Sequence, residues 1–279
     1  MKVLVTGAKG QLGADVVRLF SEKGHDVIGM GRDQLDITDI KICNNIIMEL
    51  RPEAIIHCAA YTAVDNAETD QDGAYLVNAI GTRNITIAAE KIKAKMCYIS
   101  TDYVFDGVST SPYYEYDNTN PLTVYGKSKR AGEQLVQTLC SKWFIVRTSW
   151  VYGASGNNFV KTMLKLGQER DSLQVVNDQW GSPTYTCDLS LFLEELVMTD
   201  KYGIYHASNS GVCTWYEFAK AIFEEAKMPV TLESCSTEQF PRPAPRPRYS
   251  AMEQMSIRVN NLKPLRHWRD ALRDYIHLH

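Results

Sequence analysis

Lys2-Val3-Leu4-Val5-Thr6-Gly7-Ala8-Lys9-Gly10-Gln11-Leu12-Gly13 is the stretch that decides the fold. Its apolar run suits a parallel strand buried on both faces. Gly7, Gly10 and Gly13 then fall at three-residue intervals, and an amphipathic stretch, Leu12–Glu22, follows. The order is strand, tight turn, helix. Glycines in such a turn let the backbone approach a phosphate, and the helix N-terminus offers unpaired N–H groups and a positive dipole to the anion. The spacing is Gly-x-x-Gly-x-x-Gly, and its setting at the end of a first strand is the one a dinucleotide-binding turn requires. Gly7, Gly10, Gln11, Leu12 and Gly13 are therefore candidate cofactor residues.

Outward from this unit the pattern repeats. Asp26–Met30, Ala54–Cys58, Met96–Ser100 and Phe144–Thr148 read as further strands, with helical patterns such as Ile40–Leu50 and Ala79–Ile92 between them. This alternation predicts an α/β protein, a Rossmann-type doubly wound parallel sheet spanning residues 1–150. Beyond 150 the loops Gly153–Asn158, Trp180–Thr184 and Pro241–Pro247 interrupt shorter elements, among them helical stretches at Ser190–Met198, Trp215–Ala226 and Leu265–Ile276. Residues 151–279 are expected to form mainly a smaller substrate-binding lobe, with the chain free to return to the sheet.

The totals exclude several classes. A net charge of -3 over 279 residues calls for neither nucleic acid nor an anionic membrane. Apolar runs such as Ala54–Ala60 are too short to span a bilayer. Met1-Lys2 runs straight into the first strand, leaving no room for a leader, so a cytoplasmic location is expected. The seven cysteines form no C-x-x-C pair, which predicts free thiols in a reducing compartment and no zinc site.

The chemistry centres on Tyr125-Gly126-Lys127-Ser128-Lys129. Tyr125 and Lys129 are four apart and share one helix face. A phenol is a poor acid–base group at neutral pH, and a neighbouring ammonium is expected to lower its pKa. It could then protonate the oxyanion left by hydride delivery to a carbonyl. The strand ending Tyr98-Ile99-Ser100-Thr101-Asp102-Tyr103-Val104-Phe105 places hydroxyls and a carboxylate at the sheet edge where ligands bind, where Thr101 could hold the substrate carbonyl beside Tyr125.

The glycine turn, the Ser-Thr-Asp-Tyr-Val-Phe run and Tyr-x-x-x-Lys together resemble the extended short-chain dehydrogenase/reductases, and within them the dTDP-4-dehydrorhamnose reductase family. Leu35-Asp36-Ile37-Thr38, Cys58-Ala59-Ala60-Tyr61-Thr62, Val77-Asn78, Arg147-Thr148-Ser149-Trp150-Val151-Tyr152-Gly153 and Asp178-Gln179-Trp180-Gly181-Ser182-Pro183-Thr184 extend the likeness along nearly the whole chain. The resemblance implies reduction of the C4 ketone of a dTDP-4-dehydro sugar. It makes Tyr125 the proton donor, Lys129 the residue holding the nicotinamide ribose and Thr101 the third catalytic member. It puts Asp36 and Ile37 at the adenine, Ala59, Ala60 and Tyr61 along the cofactor, and Asp102, Tyr103 and Trp150 at the sugar. Some relatives hold magnesium between subunits, and Asp15 and Glu194 are the carboxylates that could meet there, though the sequence itself supports no metal.

A dTDP-sugar carries a diphosphate, for which Arg246 and Arg248, with Arg242, are candidate forks in the proline-alternating run Pro241–Arg248. Asn157, Asn158, Phe159 and Lys161 form a second polar cluster. After the second strand comes Gly31-Arg32-Asp33, so the acid expected at the ribose of NAD is displaced by one or two places, and Arg32 favours NADPH with NADH usable. The alternatives are an epimerase or dehydratase on the same scaffold, for which Thr101-Asp102-Tyr103 holds half the acidic pair, and a non-catalytic subunit like the methionine adenosyltransferase regulatory subunit. The chain is expected to be a monomer or a homodimer.

Overall fold

The computed structural model describes residues 1–279. Strands β1 (Lys2–Thr6), β2 (Asp26–Met30), β3 (Ala54–His57), β4 (Lys95–Thr101) and β5 (Trp143–Thr148) join strand Gly203–His206 in one sheet. The order is Gly203–His206, β5, β4, β3, β1, β2, and every pairing is parallel. The chain steps from β1 outward to β2 and then crosses back to β3. That reversal opens a crevice beyond the carboxyl ends of β1 and β3, the usual ligand position in such sheets.

Side chains of β1 alternate as a pleat requires. Val3 and Val5 pack with Leu12, Val16 and Phe20 of α1 (Gln11–Glu22) and with Leu189, Leu193 and Leu196 of helix Thr186–Val197. Leu4 faces the opposite layer, with Ile47 of α2 (Ile40–Leu50). That layer continues through two short helices, α3 (Val64–Ala67) and α4 (Gln71–Tyr75), to α5 (Thr82–Ile92) and α6 (Val124–Leu139). Covering both faces explains the unbroken apolar reading of β1.

The C-terminal half has its own core of Tyr152, Val160, Phe218, Trp268 and Tyr275. A parallel pair, Ser172–Val176 with Thr231–Cys235, lies beside it. The chain alternates between the halves. Gly203–His206 sits at the sheet edge, and Ile257, Leu262 and Leu265 belong to the sheet-side core.

Three elements differ from the sequence-based expectation. Leu265 is taken by the sheet-side core, so the closing helix runs Trp268–Leu278, with the His267 side chain accepting from Arg269 N. The helix expected at Ser190 begins at Thr186, whose hydroxyl donates to Asp15 on α1. The helix expected from Ala79 is preceded by a π-turn, Leu76–Gly81, that carries the fully buried Asn78. Such turns widen the backbone ladder and often accompany function.

Asp15 is buried and pairs with Arg18 at 3.1 Å, while Glu194 pairs with His25 at 3.1 Å. Both sit where α1 packs on helix Thr186–Val197, so partners within the chain already satisfy them.

Candidate active site

A cleft of about 1480 Å³ runs from the turn after β1, across the ends of β3 and β4, into the C-terminal lobe. Gly7, Gly10, Gln11, Leu12 and Gly13 line its start, and Arg32, Asp36, Ile37, Ala59, Ala60 and Tyr61 continue the same wall. Gly7 has φ +66, and a Cβ there would stand 2.7 Å from Ala59 N. Only glycine allows the turn to lie this close to the β3 loop. Gly10 N-caps α1 without a side chain, and the first turn of α1 holds no acidic residue, so its free N–H groups suit a pyrophosphate.

After β2, Asp33 is paired with Lys9 at 2.8 Å and does not line the cleft, whereas Arg32 does. Asp36 turns inward on its own loop, accepting from Thr38 N at 3.0 Å and Thr38 Oγ1 at 2.7 Å.

At the end of β4 the sheet presents Thr101, and α6 brings Tyr125 and Lys129 against it. Thr123 caps α6 by accepting from Gly126 N at 3.0 Å. A Cβ on Gly126 would lie 2.2 Å from Tyr103 O, so glycine beside Tyr125 lets α6 press on the β4 loop. Tyr125 meets the Tyr103 ring edge-on at 5.6 Å. Lys129 is buried, donates to Ile99 O at 2.7 Å and stands 4.1 Å from the centre of the Tyr98 ring. Asn78 of the π-turn accepts from Tyr61 N at 2.8 Å and donates to Ser128 Oγ at 3.0 Å, tying the β3 loop to the helix that carries Tyr125 and Lys129.

Thr101 Oγ1 donates to Asp102 Oδ1 at 3.0 Å and accepts from Tyr103 N at 3.2 Å. Burial pushes the Asp102 carboxyl up to about 6, and its Oδ2 is buried without a partner.

The expected lowering of the tyrosine pKa is not what the fold produces. Burial pushes Tyr125 up to about 12, with Asp102 acting the same way and the Thr101 bond opposing. Burial likewise pushes Lys129 down to about 7, against the attraction of Glu133. Desolvation is the first cause of both shifts, and it disfavours the charged form of each group.

Glu133, one turn beyond Lys129, is fully buried. It accepts from Arg147 Nε at 2.8 Å and Arg147 Nη2 at 2.9 Å, and from Ser100 Oγ at 2.6 Å. This forked pair clamps α6 to β4 and β5. Sequence reading missed its role, since only the sheet register brings the three residues together.

On the far side Trp150 lies flat on Trp215, with ring centroids 3.6 Å apart and planes 11° apart. Trp150 has φ 47, a left-handed conformation rare for a bulky residue. Both indoles line the cleft with Phe159 and Phe240. Trp215 was read only as a helix start.

Arg242 and Arg246 line the cleft. Arg248 does not. Its carbonyl accepts from Trp180 N at 2.8 Å, and its exposed side chain points to Glu238, 3.9 Å away. Trp180 thus turns the extended run aside after Pro247. Of the second polar cluster, Asn157 and Phe159 line the cleft. Asn158 instead caps helix Phe159–Glu169 and donates to Gln11, and Lys161 donates to Gly156 O. No group of three or more His, Cys, Asp or Glu side chains is placed to hold a metal ion.

A doubly wound sheet with a glycine turn at its switch point and Thr101, Tyr125 and Lys129 on the adjacent edge defines a nucleotide-dependent oxidoreductase of the short-chain dehydrogenase type. Comparison with known proteins narrows the class: the chain belongs to the family described as "RmlD substrate binding domain", which matches residues 1–279. It is 45% identical to the spore coat polysaccharide biosynthesis protein SpsK of Bacillus subtilis, over 99% of this chain and 96% of that one. It is 43% identical to the dTDP-4-dehydrorhamnose reductase of Streptomyces griseus, over 96% and 91%. The crystal structure of dTDP-4-dehydrorhamnose reductase from Bacillus anthracis in complex with NADP superposes with a TM-score of 0.98 at 47% identity, covering all of both chains.

Proposed function

We propose that the chain reduces the C4 ketone of dTDP-4-dehydro-L-rhamnose to dTDP-L-rhamnose with NADPH, NADH being usable. The observation that carries this reading is one continuous cleft joining the glycine turn, the Thr101/Tyr125/Lys129 group and the Trp150/Trp215 wall. The glycine turn fits a dinucleotide, since a Cβ at Gly7 would fill its cradle. A bound dihydronicotinamide supplies the hydride.

The chain's own groups do the rest. Tyr125, protonated at neutral pH, gives its phenolic proton to the C4 oxygen as the alcohol O–H forms. Thr101 stabilises the phenolate left behind, and Lys129 holds the ribose beside it. Asp102, with its unpartnered Oδ2, and Tyr103 take the sugar hydroxyls. Trp150 packs on the apolar face of the deoxysugar, and Arg246 and Arg242 receive the diphosphate. Residues 1–150 thereby hold the cofactor and the reacting end of the sugar, and the lobe within 151–279 takes the diphosphate.

Seven unpaired thiols support a reducing, cytoplasmic setting, and no helix is long and apolar enough to cross a membrane. The protein is proposed to act as a monomer or a homodimer.

The test is consumption of dihydronicotinamide absorbance with a panel of 4-keto sugar nucleotides. Turnover of none of them would sink the catalytic reading in favour of a binding subunit.

A further inference from the structure

The run Pro241–Pro247 places a proline at every second position, so its only backbone donors are Arg242, Ala244 and Arg246. It belongs to the substrate-binding half, yet its central contact lies on the other side of the cleft, at Asp65 of α3. Asp65 Oδ1 accepts from Ala244 N at 3.2 Å, and Asp65 Oδ2 accepts from Arg246 Nη2 at 2.9 Å. Arg242 Nη1 stands 4.0 Å from the same oxygen. Asp65 lies three residues beyond Thr62 and beside Val64, both of which line the cleft. The carboxylate therefore fastens the arginine run of one half to the cofactor-side loop of the other.

The charges tell what the fastening is for. Two guanidinium groups and one carboxylate leave a net charge of +1 beside the cleft. Arg246 uses Nη2 for Asp65 and Nη1 for Ala244 O, at 3.4 Å. That leaves Nε and the remaining N–H groups for a second anion, and a guanidinium fork accepts two at once. Alternating prolines already hold the backbone extended, so fixing the side chain removes most of the remaining ordering cost of binding.

We propose that Asp65 is a positioning residue which presets Arg246, with Arg242, for the substrate's diphosphate. This rests on the reading of Arg246 as a diphosphate ligand, and the experiment separates the two.

Asp65→Asn keeps the side-chain shape and an acceptor for Ala244 N while removing the charge. It should raise KM for the dTDP-sugar by roughly 5- to 20-fold, the scale of a half-exposed charged hydrogen bond, and leave kcat and NADPH affinity unchanged. The ratio of dTDP to thymidine affinity should fall by the same factor, a ratio that a general loss of folding would not move. Arg246→Ala should lower that ratio at least as far, and the double variant should lose clearly less than the two single losses combined. If Arg246→Ala leaves the ratio unchanged, the diphosphate reading fails. If it lowers the ratio while Asp65→Asn does not, only the positioning role fails. Tighter dTDP binding by Asp65→Asn, or additive losses in the double variant, would likewise overturn it, the first by making Asp65 a competitor for the arginines.

Discussion

Lys9 Nζ lies 2.8 Å from each carboxylate oxygen of Asp33, and of the adjacent pair Arg32-Asp33 it is Arg32 that lines the cleft. On the proposed reading, Lys9 engages the acid that would otherwise bond a ribose 2′-hydroxyl, and Arg32 is the cation that receives the 2′-phosphate. Arg32→Ala should therefore abolish most of the NADPH preference and barely alter NADH kinetics. Loss of a charged hydrogen bond of about 1.5–3 kcal/mol corresponds to roughly 10- to 150-fold in affinity. Steady-state kcat/KM for both cofactors decides the matter. A wild-type enzyme that favours NADH would mean Asp33 abandons Lys9 for the ribose.

Tyr125→Phe removes the proposed proton donor while keeping the ring contact with Tyr103. Turnover should fall by about 10² to 10⁴, the usual scale for general acid–base catalysis, with NADPH affinity intact. Near-normal turnover would show that the proton comes from another source, Asp102 being the nearest candidate.

Lys129 gives the reaction its expected alkaline limit. Burial holds its pKa near 7 while Tyr125 is pushed up to about 12. Lys129 should therefore lose its charge as pH rises past about 7, and the phenol should stay protonated across the same range. NADPH affinity, measured by fluorescence titration from pH 6 to 9, should weaken above neutrality. A flat profile would show that Lys129 remains charged in the free enzyme.

Trp150→Ala should raise KM for the dTDP-sugar and leave NADPH binding unchanged. The indole stacks on Trp215, and such pairs contribute about 0.5–1.5 kcal/mol beyond area burial, so a modest loss in melting temperature should accompany it. Trp215→Ala should reproduce the KM effect, because the stack holds Trp150 in place. Unfolding without any change in KM would assign both rings to the core.

Acid should destabilise the fold through two histidines. His57 is bonded to Thr6 and Thr82, and His206 to Arg147 and Glu253 O. Burial pushes both down to about 3 from the ordinary 6.5. The unfolded chain binds protons first as pH falls, so their contribution is complete above about pH 6.5 and shrinks toward pH 3. Each should cost about 1.4 kcal/mol per pH unit in that window. Urea unfolding at pH 7, 6 and 5 measures the slope, and His57→Gln should reduce it.

Much of this molecule was legible along the chain because the decisive signals are local. The run Val3-Leu4-Val5, the glycines at 7, 10 and 13 and the four-residue step from Tyr125 to Lys129 each depend on neighbours within one or two turns, where backbone geometry dictates spacing. β1, β2 and α2 accordingly lie at the expected residues. What the sequence left open depends on desolvation and on contacts between distant segments. Tyr125 and Lys129 were legible as a pair, but the direction of their pKa shifts follows from burial, a property of the packed whole. Arg246 and Arg248 look equivalent in the proline run, and only the Trp180 contact turns one away while Asp65, 181 residues earlier, fixes the other. The clamp of Glu133 on Arg147 and the stacking of Trp150 on Trp215 join residues 14 and 65 apart, because parallel strands and crossover helices align positions that no sequence period relates.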